Sequence, residues 1–251
     1  MNEMKVYVVT HKNFKDDFLK SKNYYQVIKV GNNMKNSEAQ KKNWQVDSEG
    51  NNISTANPYY CELTAQYWGW KNDKVDCYTG ICHYRRYFLD PFIKKNTQII
   101  SKDSVINIMS KYDVILLYPE KKSIHAIIPK TIAEIDKEKN FAVIRKILLK
   151  FYPETINEYD KLIMGKKMIF RNMFITSKKI YDNYSSFLFD VLQKYDQEML
   201  QNGYKRKLRI DGFEAEYLLP TYMLTYYKNI FYAECISPKD LNKKGIHKFY
   251  L

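Results

Sequence analysis

The stretch at residues 77–88, CYTGICHYRRYF, poses the first question about this chain. Its apolar and β-branched half predicts a buried strand over 78–86. The strand then runs into HYRR at 83–86, and a buried cation is costly unless an anion meets it. The sequence therefore predicts an anion at the end of this strand.

Alternation along a strand sends successive side chains to opposite faces of the sheet. In this strand one face holds Ile81, His83 and Arg85, and the other holds Cys82, Tyr84 and Arg86. The cations come last, at the carboxyl end of the strand, which is where ligands bind in parallel α/β sheets. Three anions fit that position: a carboxylate elsewhere in the chain, a nucleic-acid phosphate, or the diphosphate of a nucleotide-sugar.

Strand patterns alternate with helix patterns on both sides of this stretch. Apolar and β-branched runs predict strands at 5–10, 25–30, 113–118 and 167–176. Helical patterns span 57–72, 101–112, 140–163 with a break near Pro153, 177–200 beginning at the cap Ser177, and 213–229 with a break at Pro220. This order predicts an α/β fold: a Rossmann-type, mainly parallel sheet flanked by helices, with a helical C-terminal part.

The length of 251 residues and the hydrophobic share of 45% predict one domain, 1–251, with a single large core. Residues 32–54 lack periodicity and are rich in turn formers, so they predict a long functional loop. Asn57 and Pro58 follow, and their order predicts a helix that the Asn57 side chain caps.

The formal charge of +13 favours an anionic partner, although basic residues scattered over solvated faces explain it equally well. The four cysteines form no Cys-x-x-Cys pair and indicate neither a zinc site nor a disulfide framework. No stretch reaches the ~18 apolar residues that a membrane helix needs. We therefore expect a cytoplasmic protein that can touch the inner face of the cell membrane.

Several short blocks occur in an order that is typical of one protein family. They are KVYVVTHK at 5–12, VG at 30–31, NISTANPYYCELTAQYWGWKN at 52–72, GICHYRRYF at 80–88, NMFI at 172–175 and GFEAEYLL at 212–219. With these blocks the chain resembles a family of small bacterial capsular and exopolysaccharide glycosyltransferases, whose domain was long described as one of unknown function. The resemblance extends over nearly the whole chain.

The resemblance implies a GT-A-like fold, with a nucleotide-sugar-binding half at 1–118 and a largely helical acceptor half at 119–251. It implies inverting transfer of a hexose, with galactose or galactofuranose favoured, from a UDP-sugar to a capsular or surface polysaccharide acceptor carried on a polyprenyl diphosphate. Two departures stand out. Residues 47–52 have one carboxylate fewer than the family's D-D-x-G-D-N-I-S loop, and Tyr217 follows Glu216 where the family has arginine.

GT-A enzymes usually bind a divalent metal through Asp-x-Asp, a pattern that this chain lacks. We expect the cations of HYRR to hold the donor diphosphate in its place. The residues predicted to bind the donor are Thr10, His11, Val30, Gly31, Asn52, His83, Arg85 and Arg86. A Mn²⁺ or Mg²⁺ site at 47–49 or 214–216 is the rival hypothesis.

Inverting transfer requires a carboxylate that takes the proton of the acceptor hydroxyl. Glu216 matches the family's last block and is the predicted base. Asn172, Asp211 and Glu214 are predicted to contact the acceptor or the donor sugar. Two other functions stay open: an inactive paralogue that binds a sugar nucleotide, and a basic nucleic-acid-binding module. The second is disfavoured because the chain has no known nucleic-acid-binding motif, so no nucleic-acid partner is expected.

Overall fold

The structure, a computed structural model, describes residues 4–93, 96–122 and 132–243. In chain order its strands are β1 (Met4–Thr10), β2 (Tyr25–Lys29), β3 (Gln45–Val46), β4 (Tyr78–His83), β5 (Tyr87–Phe88), β6 (Val114–Leu117), β7 (Glu120–Lys121), β8 (Lys167–Met168), β9 (Phe174–Ser177), β10 (Ile230–Ala233) and β11 (Cys235–Ile236). Its α-helices are α1 (Asn36–Gln40), α2 (Asn57–Tyr60), α3 (Leu63–Asn72), α4 (Lys102–Met109), α5 (Ile132–Phe151), α6 (Ile156–Met164), α7 (Lys178–Gln201) and α8 (Ile210–Tyr226).

Seven strands form one sheet in the order β10-β6-β9-β4-β1-β2-β3. Every pairing in it is parallel except those of β9, which runs antiparallel to both β4 and β6. Two short antiparallel pairs, β5 with β11 and β7 with β8, stand beside it. The predicted mainly parallel sheet, flanked by helices and followed by a helical C-terminal part, is confirmed.

The two central parallel strands are apolar because both of their faces are covered. β1 and β4 pair in a register that aligns Val6 with Gly80 and Val8 with Cys82. Val6, Val8 and Cys82 are fully buried. The apolar run that introduced the sequence is therefore the middle strand of the sheet.

The helix α7 is the main support of the C-terminal half. Ser177 caps it as predicted, because its hydroxyl accepts a hydrogen bond from the amide of Ile180 at 3.3 Å. The helix packs against α3, α5 and α8 and against the strands β4 and β9. Tyr181, Tyr184 and Leu188 are fully buried on its inner face.

The predicted strand 78–86 stops early. β4 ends at His83, and a tight turn through Tyr84 and Arg85 leads to β5. The His83 amide donates to the Arg86 carbonyl at 3.2 Å, and the Arg86 amide donates to the His83 carbonyl at 3.0 Å. The predicted alternation of side chains beyond His83 is wrong, because the chain turns there without any glycine or proline to signal it.

The predicted loop 32–54 is partly ordered into regular structure. It contains the helix α1 and the edge strand β3, which pairs with β2. Both elements are too short to produce a recognisable period. The segment thus extends the sheet instead of forming a free flap.

Three further boundaries differ from the sequence prediction. The helix 57–72 is divided into α2 and α3 by Cys61, whose φ is 51°. The strand 167–176 is divided into β8 and β9 by Arg171 and Asn172, both with positive φ. The predicted break at Pro220 does not occur, because α8 continues through it, and the Thr221 hydroxyl donates to the Tyr217 carbonyl at 2.8 Å.

Gly80 lies where β4 leaves no room for a side chain against its antiparallel neighbour, β9. A Cβ at this position would overlap the Phe174 carbonyl oxygen and lie 2.8 Å from the Cα of Ile175. Backbone atoms cannot yield as a flexible side chain can. The pairing of β9 with β4 therefore requires glycine here.

We expect Gly80→Ala to lower the free energy of unfolding by about 2–3 kcal/mol, because overpacking against backbone forces the strands apart. Urea unfolding measures the change. Gly203→Ala is the control. Its site has nothing within 4 Å and a φ of +70°, so the only expected loss of stability comes from placing alanine in the left-handed conformation, about 1 kcal/mol. Equal losses in the two variants would contradict the close contact at Gly80.

Candidate functional site

A cleft of about 520 Å³ opens beyond the carboxyl ends of β1, β2 and β4. Because these strands are parallel, their carboxyl ends meet at one edge of the sheet. Thr10, Val30 and His83 bring the three strand ends to the cleft. Residues from the α2–α3 break, the β8–β9 connection and the first half of α8 close the other side.

The two arginines of the β4–β5 turn face this cleft. Neither Arg85 nor Arg86 forms an ion pair with a carboxylate within the described residues. The Arg85 guanidinium lies 5.6 Å from the centroid of the Tyr84 ring. Within the described part of the chain, the hypothesis that internal acids neutralise the HYRR cations is therefore wrong.

Arginine is concentrated at this place. The chain has 41 basic residues, of which only six are arginine. Four of the six, Arg85, Arg86, Arg171 and Arg209, line the cleft. Arg171 forms an ion pair with Glu120, whose second oxygen lies 3.0 Å from the Nη2 atom. The cleft is thus strongly positive and rich in planar donors, which suit phosphate oxygens.

Arg209 reaches the cleft from an unusual backbone position. Its φ of 65° is left-handed and directly precedes the first residue of α8. Its amide donates to the Pro58 carbonyl at 2.9 Å, which ties the segment before α8 to the start of α2. This contact fixes the wall of the cleft on the side of Arg209.

Two carboxylates also line the cleft, and two consecutive left-handed residues hold them. Arg171 and Asn172 have φ values of 85° and 44°. The Arg171 amide donates to the Oε1 atom of Glu216 at 2.9 Å, and the Asn172 side-chain amide donates to the Oε1 atom of Glu62 at 2.8 Å. Left-handed backbone costs about 1 kcal/mol or more in residues other than glycine and often marks functional sites. Here the left-handed pair Arg171–Asn172 orients both Glu62 and Glu216.

The two histidines that line the cleft, His11 and His83, both have lowered pKa values. Burial lowers the pKa of His83, and the positive charges of Arg86 and Arg85 lower it further, although nearby Glu62 opposes the shift. Burial and the charges of Lys12 and Arg85 likewise lower the pKa of His11. Both imidazoles are therefore neutral at neutral pH, so the positive charge of the cleft comes from its arginines and lysine.

His83 leaves one ring nitrogen available to a ligand. Its Nε2 atom is buried and has no hydrogen-bond partner among the described residues. The ring also makes a hydrogen bond with the backbone of Arg171. A neutral imidazole with one nitrogen bound in this way offers the other as a hydrogen-bond acceptor.

The Tyr84 ring joins the end of β1 to the turn after β4. His11 meets it edge-on with a centroid distance of 5.6 Å, and the Lys12 ammonium lies 5.6 Å from its centroid. The Tyr84 amide donates to the Val9 carbonyl at 3.0 Å. The ring is half-buried and lines the cleft.

Asn57 does not cap α2, contrary to the prediction. Its side-chain amide instead donates to the Cys61 carbonyl at 2.7 Å and to the Thr64 hydroxyl at 3.1 Å, which bridges the α2–α3 break. Its side chain also lies against Gly31, whose φ is +66°. A side chain on Gly31 would collide with the Asn57 amide, so glycine is required for this corner of the cleft.

The acids of the rival metal hypothesis are used differently. Asp47 is buried and accepts from the hydroxyls of Ser54 at 2.7 Å and Thr64 at 2.6 Å, whereas Glu49 is exposed and accepts from Gln40. Glu214 is buried, while Glu216 faces the cleft. No cluster of three or more His, Cys, Asp or Glu side chains is suited to a metal within residues 4–93, 96–122 and 139–243. In each predicted pair, one carboxyl group is buried and the other is not.

Comparison with known proteins gives a family and a fold. The family model described as "Domain of unknown function (DUF4422)" matches residues 5–228. The chain belongs to the DUF4422 family. No match was found among curated proteins.

The DUF4422 chain is also similar to the apo structure of the bifunctional glycosyltransferase WbbM, with 22% identity and a TM-score of 0.70. The similarity covers 100% of this chain and 48% of that one, so the chain spans about half the length of WbbM. This likeness confirms the predicted GT-A-like α/β fold.

The cleft gathers many, but not all, of the residues predicted from the sequence of this DUF4422 chain. Those that line it are Thr10, His11, Val30, His83, Arg85, Arg86 and Glu216. Gly31 and Asn172 lie directly behind, in contact with Asn57 and Glu62. Asn52 is outside and closes its own turn by donating to the Ser48 and Gly50 carbonyls. Asp211 and Glu214 are buried and do not line the cleft.

Six other lining residues were not predicted from the sequence: Lys12, Asn33, Glu62, Tyr84, Arg171 and Arg209. Glu62 and Tyr84 stand inside the family blocks but look like ordinary helix-surface and strand residues. The rarity of arginine in a lysine-rich chain was the available signal for Arg171 and Arg209. A residue type that is scarce overall and clustered in space is more informative than net charge.

A largely buried pair of acids, Asp196 and Asp211, lies behind the part of the cleft wall that Arg209 forms. The Nη2 atom of Arg206 donates to Asp211 at 2.6 Å and lies 2.7 Å from Asp196. The Asp211 side chain is completely buried. Burial, and then the charge of Asp196, raises the pKa of Asp211 to about 7. One guanidinium cannot neutralise both acids, so the pair retains a proton under mildly acidic conditions.

This pair makes stability depend on pH. The pKa of Asp211 is higher in the folded than in the unfolded chain, so its contribution is present below about pH 4 and is lost as the pH rises through 7. We expect the free energy of unfolding to fall by about 2–3 kcal/mol from this source between pH 5 and 8. Chemical unfolding across that range measures it.

Asp211→Asn should flatten this dependence, because the amide does not ionise. Asp17→Asn, at an exposed site, should keep the slope of the natural chain. If Asp211→Asn and the natural chain show the same slope, the acid pair is not the titrating group.

Proposed function

We propose that the chain is a glycosyltransferase that moves a hexose from a UDP-sugar to a saccharide acceptor. The observation that supports it most is the cleft itself: four arginines and two oriented carboxylates at the carboxyl ends of β1, β2 and β4. The GT-A-like fold, which is shared with a structure named as a glycosyltransferase, agrees with this function. Arginine suits the diphosphate, and a carboxylate suits proton transfer from a hydroxyl.

In this proposal the donor lies across the strand ends. The uridine occupies the region of Thr10, His11, Val30 and Gly31, beside the Tyr84 ring. Arg85 and Arg86 hold the diphosphate. When the bond between the anomeric carbon and the β-phosphate oxygen breaks, the electron pair leaves with UDP, and the preorganised guanidinium donors stabilise the added negative charge.

Glu216 acts as the base. The acceptor hydroxyl oxygen attacks the anomeric carbon from the face opposite the leaving UDP, and its proton passes to the Glu216 carboxylate. The configuration at the anomeric carbon is therefore inverted. The hydrogen bond from the Arg171 amide orients the Glu216 carboxylate at the cleft. Asn172 assists indirectly, because it positions Glu62.

The acceptor side is proposed to belong to the second half of the chain, 119–251, and the donor side to 1–118. Asp211 and Glu214 are buried, so they support the wall between the two sides without contacting sugar. Galactose or galactofuranose is the favoured donor sugar, and a capsular or surface polysaccharide carried on a polyprenyl diphosphate is the favoured acceptor. No helix in the described residues is long and apolar enough to cross a membrane. Because the favoured acceptor is carried by a membrane lipid, we propose peripheral contact with the inner face of the membrane.

Calorimetric titration with UDP tests the donor site. We expect a Kd on the order of micromolar that is unchanged by EDTA, because guanidinium groups take the role of the metal. A random oligonucleotide should bind weakly and only at low salt. Loss of UDP binding in EDTA would refute the metal-free site, and tight salt-dependent oligonucleotide binding without UDP binding would favour a nucleic-acid-binding module.

Variants that each remove one arginine test which side chains bind UDP in this titration. Arg85→Ala and Arg86→Ala should each weaken UDP binding about 10- to 100-fold, the usual loss for a charged hydrogen bond. Arg145→Ala is the matched control, since Arg145 pairs with Asp160 at 2.7 Å, outside the cleft. Equal effects of all three variants would show that only overall charge matters.

Glu216→Gln should reduce turnover about 100-fold or more and leave UDP affinity unchanged, because glutamine keeps the oxygen that accepts from Arg171 but cannot take a proton. Release of UDP from a panel of UDP-sugars, with and without saccharide acceptors, measures turnover and identifies the donor.

Glu62→Gln is the informative comparison, since Glu62 is the second carboxylate of the cleft. Full turnover in Glu216→Gln together with its loss in Glu62→Gln would reassign the base. UDP binding by the natural chain without turnover on any donor would favour the inactive paralogue.

A further inference from the structure

Exposed apolar side chains are concentrated in one short segment beside the cleft. Among the residues whose side chains the structure describes, twelve large hydrophobic side chains are well exposed, and four of them lie within residues 200–213, here called the rim segment. They are Leu200, Tyr204, Leu208 and Phe213, and Leu200 and Leu208 are 68% and 69% exposed. Exposed apolar groups this close together mark an interaction surface.

Basic residues are interleaved with these apolar ones. Lys205, Lys207 and Arg209 are all exposed and alternate with the other residues of the rim segment. Arg206 turns inward, to Asp196 and Asp211. The buried ion pairs of Arg206 therefore hold the segment in a shape that presents its lysines and leucines outward.

The same segment borders an apolar cavity of about 410 Å³ next to α5 and α7. Val143, Met199 and Ile210 contribute apolar surface to it, and Lys205 and Lys207 also line it. An apolar space with cationic groups at its edge matches the chemistry of a lipid, which has an anionic headgroup and an apolar chain.

We propose that the rim segment docks on the surface of an anionic phospholipid bilayer. Leu200 and Leu208 enter the boundary between headgroups and chains, and Lys205 and Lys207 bind lipid phosphates. A protein partner fits less well, because lysines, which are depleted in protein–protein interfaces, are interleaved with the apolar side chains.

Docking in this way would bring the cleft to the membrane. Arg209 lies in the rim segment and also lines the cleft, and its guanidinium is 5.3 Å from the Phe213 ring centroid. A lipid-linked acceptor would then meet the base without leaving the bilayer. This step rests on the proposed function, whereas the docking itself does not.

Co-sedimentation with vesicles tests the docking without any sugar nucleotide. The chain should sediment with vesicles of phosphatidylcholine plus phosphatidylglycerol and remain in solution with phosphatidylcholine alone. Lys205→Glu/Lys207→Glu should weaken binding at least about tenfold, since each lysine near an anionic surface contributes roughly 1 kcal/mol and reversal adds repulsion. Leu208→Glu should weaken it about tenfold through lost apolar burial.

Matched controls lie at the opposite edge of the sheet. Lys74 and Lys111 are exposed and stand just before the amino ends of β4 and β6, so Lys74→Glu/Lys111→Glu removes the same charge. Ile106, 44% exposed on α4, gives Ile106→Glu as the apolar control. Both should bind vesicles like the natural chain, and urea unfolding of every variant checks that the fold is intact.

Three results would overturn the docking proposal. They are absence of binding to anionic vesicles, an equal loss in the Lys74→Glu/Lys111→Glu control, and a dimer in lipid-free solution that Leu208→Glu dissociates, which would assign the surface to a second copy of the chain. Vesicle binding by a chain that does not bind UDP would support the docking and refute the proposed donor site.

Discussion

The cleft depends on the hydrogen bonding of β4 between β1 and β9. Pairing on both sides fixes where β4 ends, and that end carries the turn with Arg85 and Arg86. Gly80 permits the close approach of β9. Because β1, β2 and β4 are parallel, their three carboxyl ends converge, and one edge of the sheet collects residues that are far apart in sequence. The position of the cations is thus a consequence of strand pairing.

The second constraint is the left-handed pair Arg171–Asn172. It lies in the connection just before β9, so the strand that packs against Gly80 also brings this pair to the cleft. One residue donates its backbone amide to Glu216 and the other donates its side chain to Glu62. An unfavourable backbone conformation is retained where surrounding contacts determine it. Both acids are consequently oriented before any ligand arrives, which reduces the reorganisation that a reaction would require.

The sequence was sufficient for features that local chemistry controls. The apolar strands and the Ser177 cap of α7 were predictable because burial and capping leave a signature in adjacent residues. The turn at Tyr84–Arg85 and the left-handed Arg171 were not, because their residue types do not favour these conformations and tertiary contacts impose them. The role of Asn57 was missed for the same reason: a helix cap and a bridge across a helix break require the same residue type.

The positions of the arginines show where positive charge is concentrated, which the net charge of the chain could not show. Thirty-five of the 41 basic residues are lysine and are spread along the chain, as a solvated surface requires. The two arginines outside the cleft are both paired, Arg145 with Asp160 and Arg206 with Asp196 and Asp211. In the described residues Arg85 and Arg86 have no such acid. Within the described chain, the charge of these two cleft-lining guanidinium groups is therefore not met by a carboxylate, which the net charge of the chain alone could not show.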